Sequence, residues 1–351
     1  MKKPTDLPKG NALVSIIVLT YNSAAYIGRA LRSISLQTYS KHEVIVVDNG
    51  STDTTQRIVE SFSGTAWLSL PRSDMGMARN YGVKHSHGEY LMFLDSDDFY
   101  LAHKLESQVS VMAAKPELGV LFSTAYIYCN HELPKMRIKA VTRKKFTILE
   151  FLKGDCYTLA TVCIRRSTWD TGLSFSEGEL GRYGEDWRFQ LNLAQKGVAF
   201  EFLDTPSVVV EVRDDSHTSW EIQPKMKSLA LNTVEKLLQS SRDVKLDAQV
   251  ARNILDAYRF KLAVSLILTS RTAEARIIRR DICSSIKSFA IGMLAVLSVI
   301  LPAAWIQWLL EAVWIKHQEN TFQWSNPPQD ISAQISALID QHWHTDPVCT
   351  S

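Results

Sequence analysis

The first hundred residues alternate between short apolar runs and segments in which apolar side chains recur at helical spacing. Residues 13–20 form a continuous apolar run, which is typical of a strand covered on both faces. Residues 24–36 then carry Ile27, Leu31 and Ile34 at the spacing of an amphipathic helix. The alternation predicts strands at 13–20, 43–47, 66–70 and 90–94, and helices at 24–36, 52–62 and 77–87.

Strands that alternate with helices in this way predict an α/β domain with a doubly wound, mostly parallel, Rossmann-like sheet. Ligands in such sheets bind at the carboxyl ends of the strands, so the residues that follow each strand are the first candidates for a site. Two local predictions concern helix ends. Gly88 is expected to close the third helix in the left-handed conformation, and Asp98 could cap a helix that begins near Tyr100.

Beyond about residue 225 the pattern changes to long helical segments, at 228–238 and 248–269. Residues 289–310 then carry no charge, and this length is enough to cross a bilayer. Basic residues precede the segment, tryptophans cluster near its far end and acidic residues follow it, which agrees with an α/β domain on the cytoplasmic side. A membrane span, a peripheral contact and a soluble packing role all remain open for 289–310.

These patterns divide the chain into a flexible N-terminus (1–12), an α/β domain (13–222), a helical region (223–320) and an acidic tail (321–351). The formal net charge of +2 lacks the basic excess of nucleic-acid binders. Five cysteines without metal-type spacing, and no apolar segment before Leu13, predict reduced thiols and a cytoplasmic location.

Polar side chains follow the first two predicted strands. Thr20, Tyr21 and Asn22 end the first, where the tyrosine could stack on a nucleobase and the asparagine could hold the turn. Asp48 and Asn49 end the second, where a carboxylate could accept hydrogen bonds from a base or a ribose. An ordinary capped turn without a ligand is the alternative at each of these positions.

Three carboxylates within four positions follow the fourth strand: Asp95, Asp97 and Asp98. Their mutual repulsion is costly unless a cation or hydrogen bonds compensate for it. Alternating carboxylates suit a hard divalent cation, which prefers oxygen ligands. Farther along, Glu185 and Asp186 open a predicted helix, and an acidic pair there could also merely compensate the helix dipole.

Taken together, the motifs resemble those of the family 2 glycosyltransferases, which have the GT-A fold. They occur in the order of that family and cover about residues 13–220. The matching segments are residues 14–22, 36–39, 46–53, 78–82 and 95–98, and the pair at 185–186.

The resemblance implies a role for each matching position. Thr20, Tyr21, Asn22, Asp48, Asn49, Arg79 and Asp95 would contact the nucleotide. Asp97, together with Asp95, would bind Mg²⁺ or Mn²⁺ on the donor diphosphate. Asp186 would be the general base that takes the acceptor proton, with Glu185 beside it. For Arg79, a salt bridge on its helix is an equally good alternative.

The chain departs from the family pattern at three places. Asn49 stands where many members have a second aspartate, so the resemblance implies different contacts with the nucleobase here. Residues 72–77 form a shorter segment than is common before the Ala78-Arg79-Asn80 motif. His217 follows Arg213 near the end of the domain and could reach the metal or the acceptor, although a loop histidine is the commoner case.

The sequence therefore predicts an inverting, metal-dependent transferase of the hexosyltransferase type. Its donor would be a nucleotide-sugar, most simply a UDP-sugar, and its acceptor a glycan or lipid-linked saccharide in cell-surface polysaccharide biosynthesis at the inner face of the membrane. No motif identifies the sugar, the linkage or the oligomeric state. A non-catalytic nucleotide-sugar-binding scaffold and a nucleotidyltransferase are the alternatives.

Overall fold

The computed structural model describes residues 11–129, 135–138, 148–152, 157–212, 221–240, 246–283, 287, 290–291, 294, 323–325 and 328–339. The strands are β1 (Val14–Thr20), β2 (His42–Asp48), β3 (Thr65–Ser69), β4 (Tyr90–Asp95), β5 (Phe99–Tyr100), β6 (Val120–Cys129), β7 (Lys135–Ile138), β8 (Cys163–Arg165), β9 (Phe200–Val212) and β10 (Gln323–Ser325). The helices are α1 (Ile27–Ser35), α2 (Thr55–Glu60), α3 (Met75–Lys84), α4 (Lys104–Ala114), α5 (Ile148–Leu152), α6 (Arg166–Trp169), α7 (Glu179–Arg182), α8 (Glu185–Gln195), α9 (Gln223–Ser240), α10 (Ala248–Leu268), α11 (Thr272–Arg280) and α12 (Gln329–Ile339).

The predicted α/β fold is confirmed, with its parallel strands in the order β3-β2-β1-β4. All seven residues of β1 are buried, which explains the unbroken apolar run at the start of the domain. Helices α1, α2 and α3 connect these strands. On α3, Gly82 lies so close to Ile17 and Val47 that a Cβ atom would come within 2.9 Å of both side chains.

The later strands extend this sheet in mixed directions. β8 runs antiparallel to β4, and β6 then pairs antiparallel with β8 and β7 and parallel with β9. The short strand β5 also pairs with β9. Through these pairings, the residues directly after β4 lie beside the end of β9.

The chain forms two compact units. The first takes its described residues from Met1–Thr147, Cys156–Arg213 and Phe322–Ser351, and the second from Ile148–Asp155 and Asp214–Thr321. In the first unit, Ile335 and Leu338 of α12 pack against Phe99, Leu101 and Tyr126. In the second unit, α10 packs against α9 and α11.

Two of the local predictions were wrong. Gly88 does not have a positive φ, and α3 ends earlier, at Lys84. Glycine is needed at position 88 because a Cβ atom there would lie 2.4 Å from the Ser15 nitrogen. Asp98 does not cap a helix either, since β5 follows it directly and its carboxylate accepts a hydrogen bond from the Glu211 amide at 3.1 Å.

Among the described residues, none of the helices has both the length and the apolar character needed to cross a membrane. Residues 289–310 lie outside the described part of the chain, apart from 290, 291 and 294. Membrane contact through that segment therefore stays a prediction.

Lys104, at the start of α4, is fully buried. Its Nζ donates a hydrogen bond to Gln108 Oε1 at 2.7 Å and lies 4.8 Å from the centroid of the Tyr100 ring. Burial disfavours the charged amine and lowers the pKa of Lys104 to about 7. The core of the domain therefore contains a group that changes charge near neutral pH.

We expect the Lys104→Met variant to gain stability relative to the wild type as the pH falls. Between pH 7 and the ordinary lysine pKa of 10.5, the unfolded chain binds a proton that the folded chain lacks, so wild-type stability rises with pH. From pH 6.5 to 9, the wild type should gain on the order of 2 kcal/mol over the variant, as measured by urea denaturation. The exposed control Lys84→Met should show no such trend, and an equal difference at both pH values would contradict the buried titration.

Candidate active site

The three predicted strand ends lie side by side at one edge of the sheet. The register of the parallel strands pairs Thr20 with Asp48, and Leu19 with Asp95. Backbone hydrogen bonds continue this register past the strands, from the Asn49 amide to the Thr20 carbonyl at 2.9 Å and from the Ser96 amide to the Leu19 carbonyl at 3.1 Å. The candidate residues of β1, β2 and β4 therefore share one surface.

At the end of β1, the polar residues differ in their environments. Thr20 is buried, and its hydroxyl has no hydrogen-bond partner among the described residues. Tyr21 is half-buried. Asn22 adopts a φ of +46°, and its Oδ1 accepts a hydrogen bond from the Thr52 amide at 2.8 Å. Asn22 thus stabilises the turn after β2, while Tyr21 keeps part of its surface exposed.

At the end of β2, both polar side chains are buried and bonded within the protein. Each oxygen of the Asp48 carboxylate lies 3.1 Å from the Ser51 amide, and the Ser51 hydroxyl also donates to it. The Asn49 amide group donates to the Ser73 carbonyl and accepts from the Ser73 backbone amide at 2.8 Å. Asn49 consequently holds the segment before α3 over the ends of β1 and β2.

The three carboxylates after β4 occupy distinct environments. The Asp95 side chain is 41% exposed, and Asp97 is half-buried. Asp98 is buried, and its pKa is raised well above the ordinary value, first by burial and then by the negative charges of Asp97 and Asp95. Negative charge is therefore concentrated at this turn, with two of its three carboxylates open to solvent.

Arg79, on α3, joins this turn to the acidic pair that begins α8. Its Nη2 donates to Asp95 Oδ1 at 2.8 Å, and its Nη1 donates to Glu185 Oε1. The side chain is 4% exposed, and its guanidinium lies 5.7 Å from the centroid of the Phe175 ring. Burial alone would lower the pKa of Arg79, but the charges of Asp95 and Glu185 outweigh it and raise the pKa.

Glu185 and Asp186 begin α8 directly after Gly184, which adopts the left-handed conformation with φ +73°. Glu185 is buried, and Asp186 is half-buried with its Oδ1 accepting from the Trp187 amide at 2.7 Å. Burial raises the pKa of both carboxyls, despite the nearby positive charge of Arg79. Asp186 is therefore more basic than an ordinary aspartate.

For the remaining predicted ligands of a metal ion, the structure gives less information. His217 lies outside the described residues. Within the described part of the chain, no group of three or more His, Cys, Asp or Glu side chains could hold a metal ion. Asp95 and Asp97 remain a pair of carboxylates at one turn, to which a ligand would have to add its own oxygen atoms.

Sequence reasoning missed two arginines near the site. Arg29, on α1, donates to the Asp97 carbonyl at 2.8 Å and pairs with Glu211, so it fixes the backbone of the carboxylate turn. Arg72, before α3, places its guanidinium 3.4 Å from the centroid of the Tyr21 ring. The only signal for Arg29 was a charged residue next to the apolar face of a predicted helix, and Arg72 gave none.

Residues 15–169 match the model of the family described as Glycosyl transferase family 2. An uncharacterized glycosyltransferase of Haemophilus influenzae is 32% identical over 161 residues, which are 44% of this chain and 63% of that protein. The UDP-Glc:alpha-D-GlcNAc-diphosphoundecaprenol beta-1,3-glucosyltransferase WfgD of Escherichia coli is 33% identical over 158 residues, 44% of this chain and 61% of that protein. The matches span from 37% to 63% of the length of these two relatives and of similar ones from Rickettsia typhi and Rickettsia prowazekii.

Two solved structures share the fold. The S. aureus TarS fragment in complex with UDP-GlcNAc aligns over 81% of this chain and 88% of its own, with a TM-score of 0.56 and 20% identity. The mannosyltransferase PcManGT from Pyrobaculum calidifontis, in complex with GDP-Man and Mn²⁺, aligns over 97% and 92% with a TM-score of 0.51 and 19% identity.

The family match, the named relatives and the shared fold agree with the strand-end motifs: residues 15–169 match the family 2 glycosyltransferases, and the structure has a GT-A fold.

Proposed function

We propose that the protein is an inverting, metal-dependent glycosyltransferase that transfers a sugar from a nucleotide-sugar to a glycan or lipid-linked acceptor. The observation that carries the proposal is the contact of one buried guanidinium, that of Arg79, with both Asp95 and Glu185. This contact brings the solvent-accessible carboxylate turn next to the start of α8, where Asp186 has a raised pKa. A diphosphate-sugar bound at the first would present its anomeric carbon toward the second.

Thr20, Tyr21 and Asp48 would bind the nucleoside of the donor. Tyr21 offers a half-buried ring at the end of β1, and the Thr20 hydroxyl has no partner among the described residues. WfgD is named for a UDP-Glc donor, and TarS was crystallised with UDP-GlcNAc, which supports a UDP-sugar. PcManGT binds GDP-Man on the same fold, so the fold accepts more than one nucleobase. The identity of the nucleobase in the donor is therefore the first property to measure.

The carboxylate turn fits a hard divalent cation such as Mg²⁺ or Mn²⁺. Asp97 and Asp95 would supply oxygen ligands, and a cation would offset the negative charges of these two carboxylates, which add to burial in raising the pKa of Asp98. A cation held by two carboxylates would complete its coordination with diphosphate oxygens and water. When bound, it would neutralise the charge that develops on the leaving diphosphate.

Asp186 would act as the general base. The acceptor hydroxyl oxygen bonds to the anomeric carbon while the bond from that carbon to the diphosphate oxygen breaks, and Asp186 takes the hydroxyl proton. Direct displacement of this kind inverts the configuration at the anomeric carbon. The raised pKa of Asp186 suits this role because a base is most effective when its pKa lies near the working pH.

Arg79 would hold the two halves of the site in register. It pairs with Asp95 at the donor side and with Glu185, the neighbour of the base, at the acceptor side. Positioning of this kind matters because small displacements of reacting groups cost large factors in rate.

The acceptor and the location rest on the relatives and on the sequence. WfgD is named for an acceptor carried on diphosphoundecaprenol, which supports a lipid-linked saccharide in cell-surface polysaccharide biosynthesis. Contact of residues 289–310 with the inner face of the cytoplasmic membrane would bring the enzyme to such an acceptor. The helical region would then serve localisation and residues 13–222 the chemistry.

We expect purified protein to release a nucleoside diphosphate from one sugar of a panel of UDP-, GDP- and dTDP-sugars with Mn²⁺ or Mg²⁺, and EDTA to abolish the release. Chromatography of the products identifies the nucleotide. Release of pyrophosphate instead would indicate the alternative of a nucleotidyltransferase. Calorimetry on the same samples tests donor binding, and a protein that binds none of the donors would contradict the proposal.

We expect Asp186→Asn to lower kcat by 100-fold or more while leaving donor affinity within about twofold, because the amide cannot accept the acceptor proton. Asp97→Ala should lower turnover and weaken Mn²⁺ binding measured by calorimetry. Asp170→Asn, an exposed carboxylate on the same unit, is the matched control and should be unaffected. If the protein were a scaffold that only binds the nucleotide-sugar, the wild type itself would show no turnover, and the variants could not differ from it.

The decrease of kcat/KM at low pH should follow the protonation of Asp186. Its folded pKa is raised above the ordinary value of 3.8, so the ionised base is lost as the pH falls through that higher pKa. As the pH is lowered from 9 to 4 at saturating Mn²⁺, we therefore expect kcat/KM to begin to decline at a higher pH than an ordinary aspartate would give. A rate that stays constant down to pH 4 would be incompatible with Asp186 as the base in this environment.

A further inference from the structure

The segment before α3 is held tightly over the ends of β1 and β2. The Asn49 side chain makes three hydrogen bonds with Ser73, of 3.1, 2.8 and 2.8 Å. On the other side, Gly50 has a φ of +84°, and a Cβ atom there would lie 3.0 Å from the Arg72 nitrogen. Only glycine allows this approach, so the backbone of Arg72 has a fixed position beside the turn that follows Asp48.

From this position, the Arg72 side chain reaches across to Tyr21. The guanidinium carbon lies 3.4 Å from the centroid of the ring, about the distance of van der Waals contact between carbon atoms. Arg72 is exposed, and it forms no hydrogen bond or ion pair through its guanidinium with another described residue. The contact with the ring is therefore what holds the guanidinium in place.

We propose that Arg72 competes with the nucleobase of the donor for one face of Tyr21, so that the base binds by displacing the guanidinium. The inference rests on the proposed function, in which Tyr21 and Asp48 bind the nucleoside. A base that contacts both residues has to lie between the Tyr21 ring and the turn after Asp48. Arg72 projects from beside that turn onto the ring, and it occupies this space.

The displacement has a modest and measurable cost. A guanidinium is flat and polarisable, so it stacks on an aromatic ring much as a base does. The contact of an exposed arginine with a tyrosine corresponds to about a 2- to 5-fold factor in affinity. Arg72 would thus weaken nucleotide binding by this factor, which speeds release of the nucleoside diphosphate after transfer.

Asn49 acquires a role from this arrangement. Its amide nitrogen donates to the Ser73 carbonyl, and its oxygen accepts from the Ser73 amide and hydroxyl. An aspartate carboxylate could only accept, so the Ser73 carbonyl would lose its donor. The asparagine at this position therefore serves to place Arg72 rather than to contact the base.

The test is titration calorimetry of UDP, and of GDP in parallel, in the presence of Mn²⁺ with the full chain. Arg72→Ala should bind the nucleotide 2- to 5-fold more tightly than the wild type. Arg72→Lys, which keeps the charge but loses the flat group, should fall between the two. The control Arg32→Ala removes an exposed arginine from the same unit and should leave affinity unchanged.

Three results would overturn the proposal. Weaker binding by Arg72→Ala with unchanged Arg72→Lys would mean that the charge attracts the diphosphate. Weaker binding by both would mean that the guanidinium contacts the bound base, and unchanged affinity would mean that the contact is incidental. If the wild type and every variant bind neither UDP nor GDP, and dTDP offered in the same way is not bound either, the proposed function is refuted, and with it the competition.

Discussion

The arrangement of the site depends on how one positive charge is shared between two negative ones. Asp95 and Glu185 come from distant parts of the chain, and the buried Arg79 guanidinium bonds both to the buried Glu185 and to the more exposed Asp95. A buried arginine is stable only when its charge is compensated, and the same holds for a buried glutamate. Arg79 and Glu185 therefore each make the burial of the other possible. Because Glu185 is the first residue of α8, this ion pair fixes the position of the helix.

A second guanidinium plays a comparable part on the other side of the carboxylate turn. Arg29 bonds to the backbone of Asp97 and pairs with Glu211 on β9, while Asp98 accepts the Glu211 amide. The backbone of the turn is thereby fixed from two directions. The carboxylates of Asp95 and Asp97 keep solvent access because the bonds that hold the turn involve mainly its main chain and Asp98.

The elements that follow from a repeating hydrophobic pattern could be predicted from the sequence. The β1 run and the apolar spacing of α1 identify a parallel α/β domain, and the register of parallel strands makes their ends neighbours. The partners of the site residues could not be predicted in this way. Arg79 and Glu185 lie 106 positions apart, and nothing in either local pattern distinguishes a buried bridge from two exposed charges. Asn49 resembled a ligand because it follows a strand, although its bonds to Ser73 depend on a loop whose path no periodicity reveals.

The packing of α12 has a consequence for how the first unit is made. Ile335 and Leu338 cover Phe99, Leu101 and Tyr126, which lie more than 200 positions earlier in the chain. During synthesis, these three side chains leave the ribosome long before α12 does. Until α12 has been made, they are exposed to water or bound by a chaperone. The apolar surface formed by Phe99, Leu101 and Tyr126 is therefore covered only after α12 has been translated, and a ribosome that stops before α12 would leave that surface exposed beside the carboxylate turn.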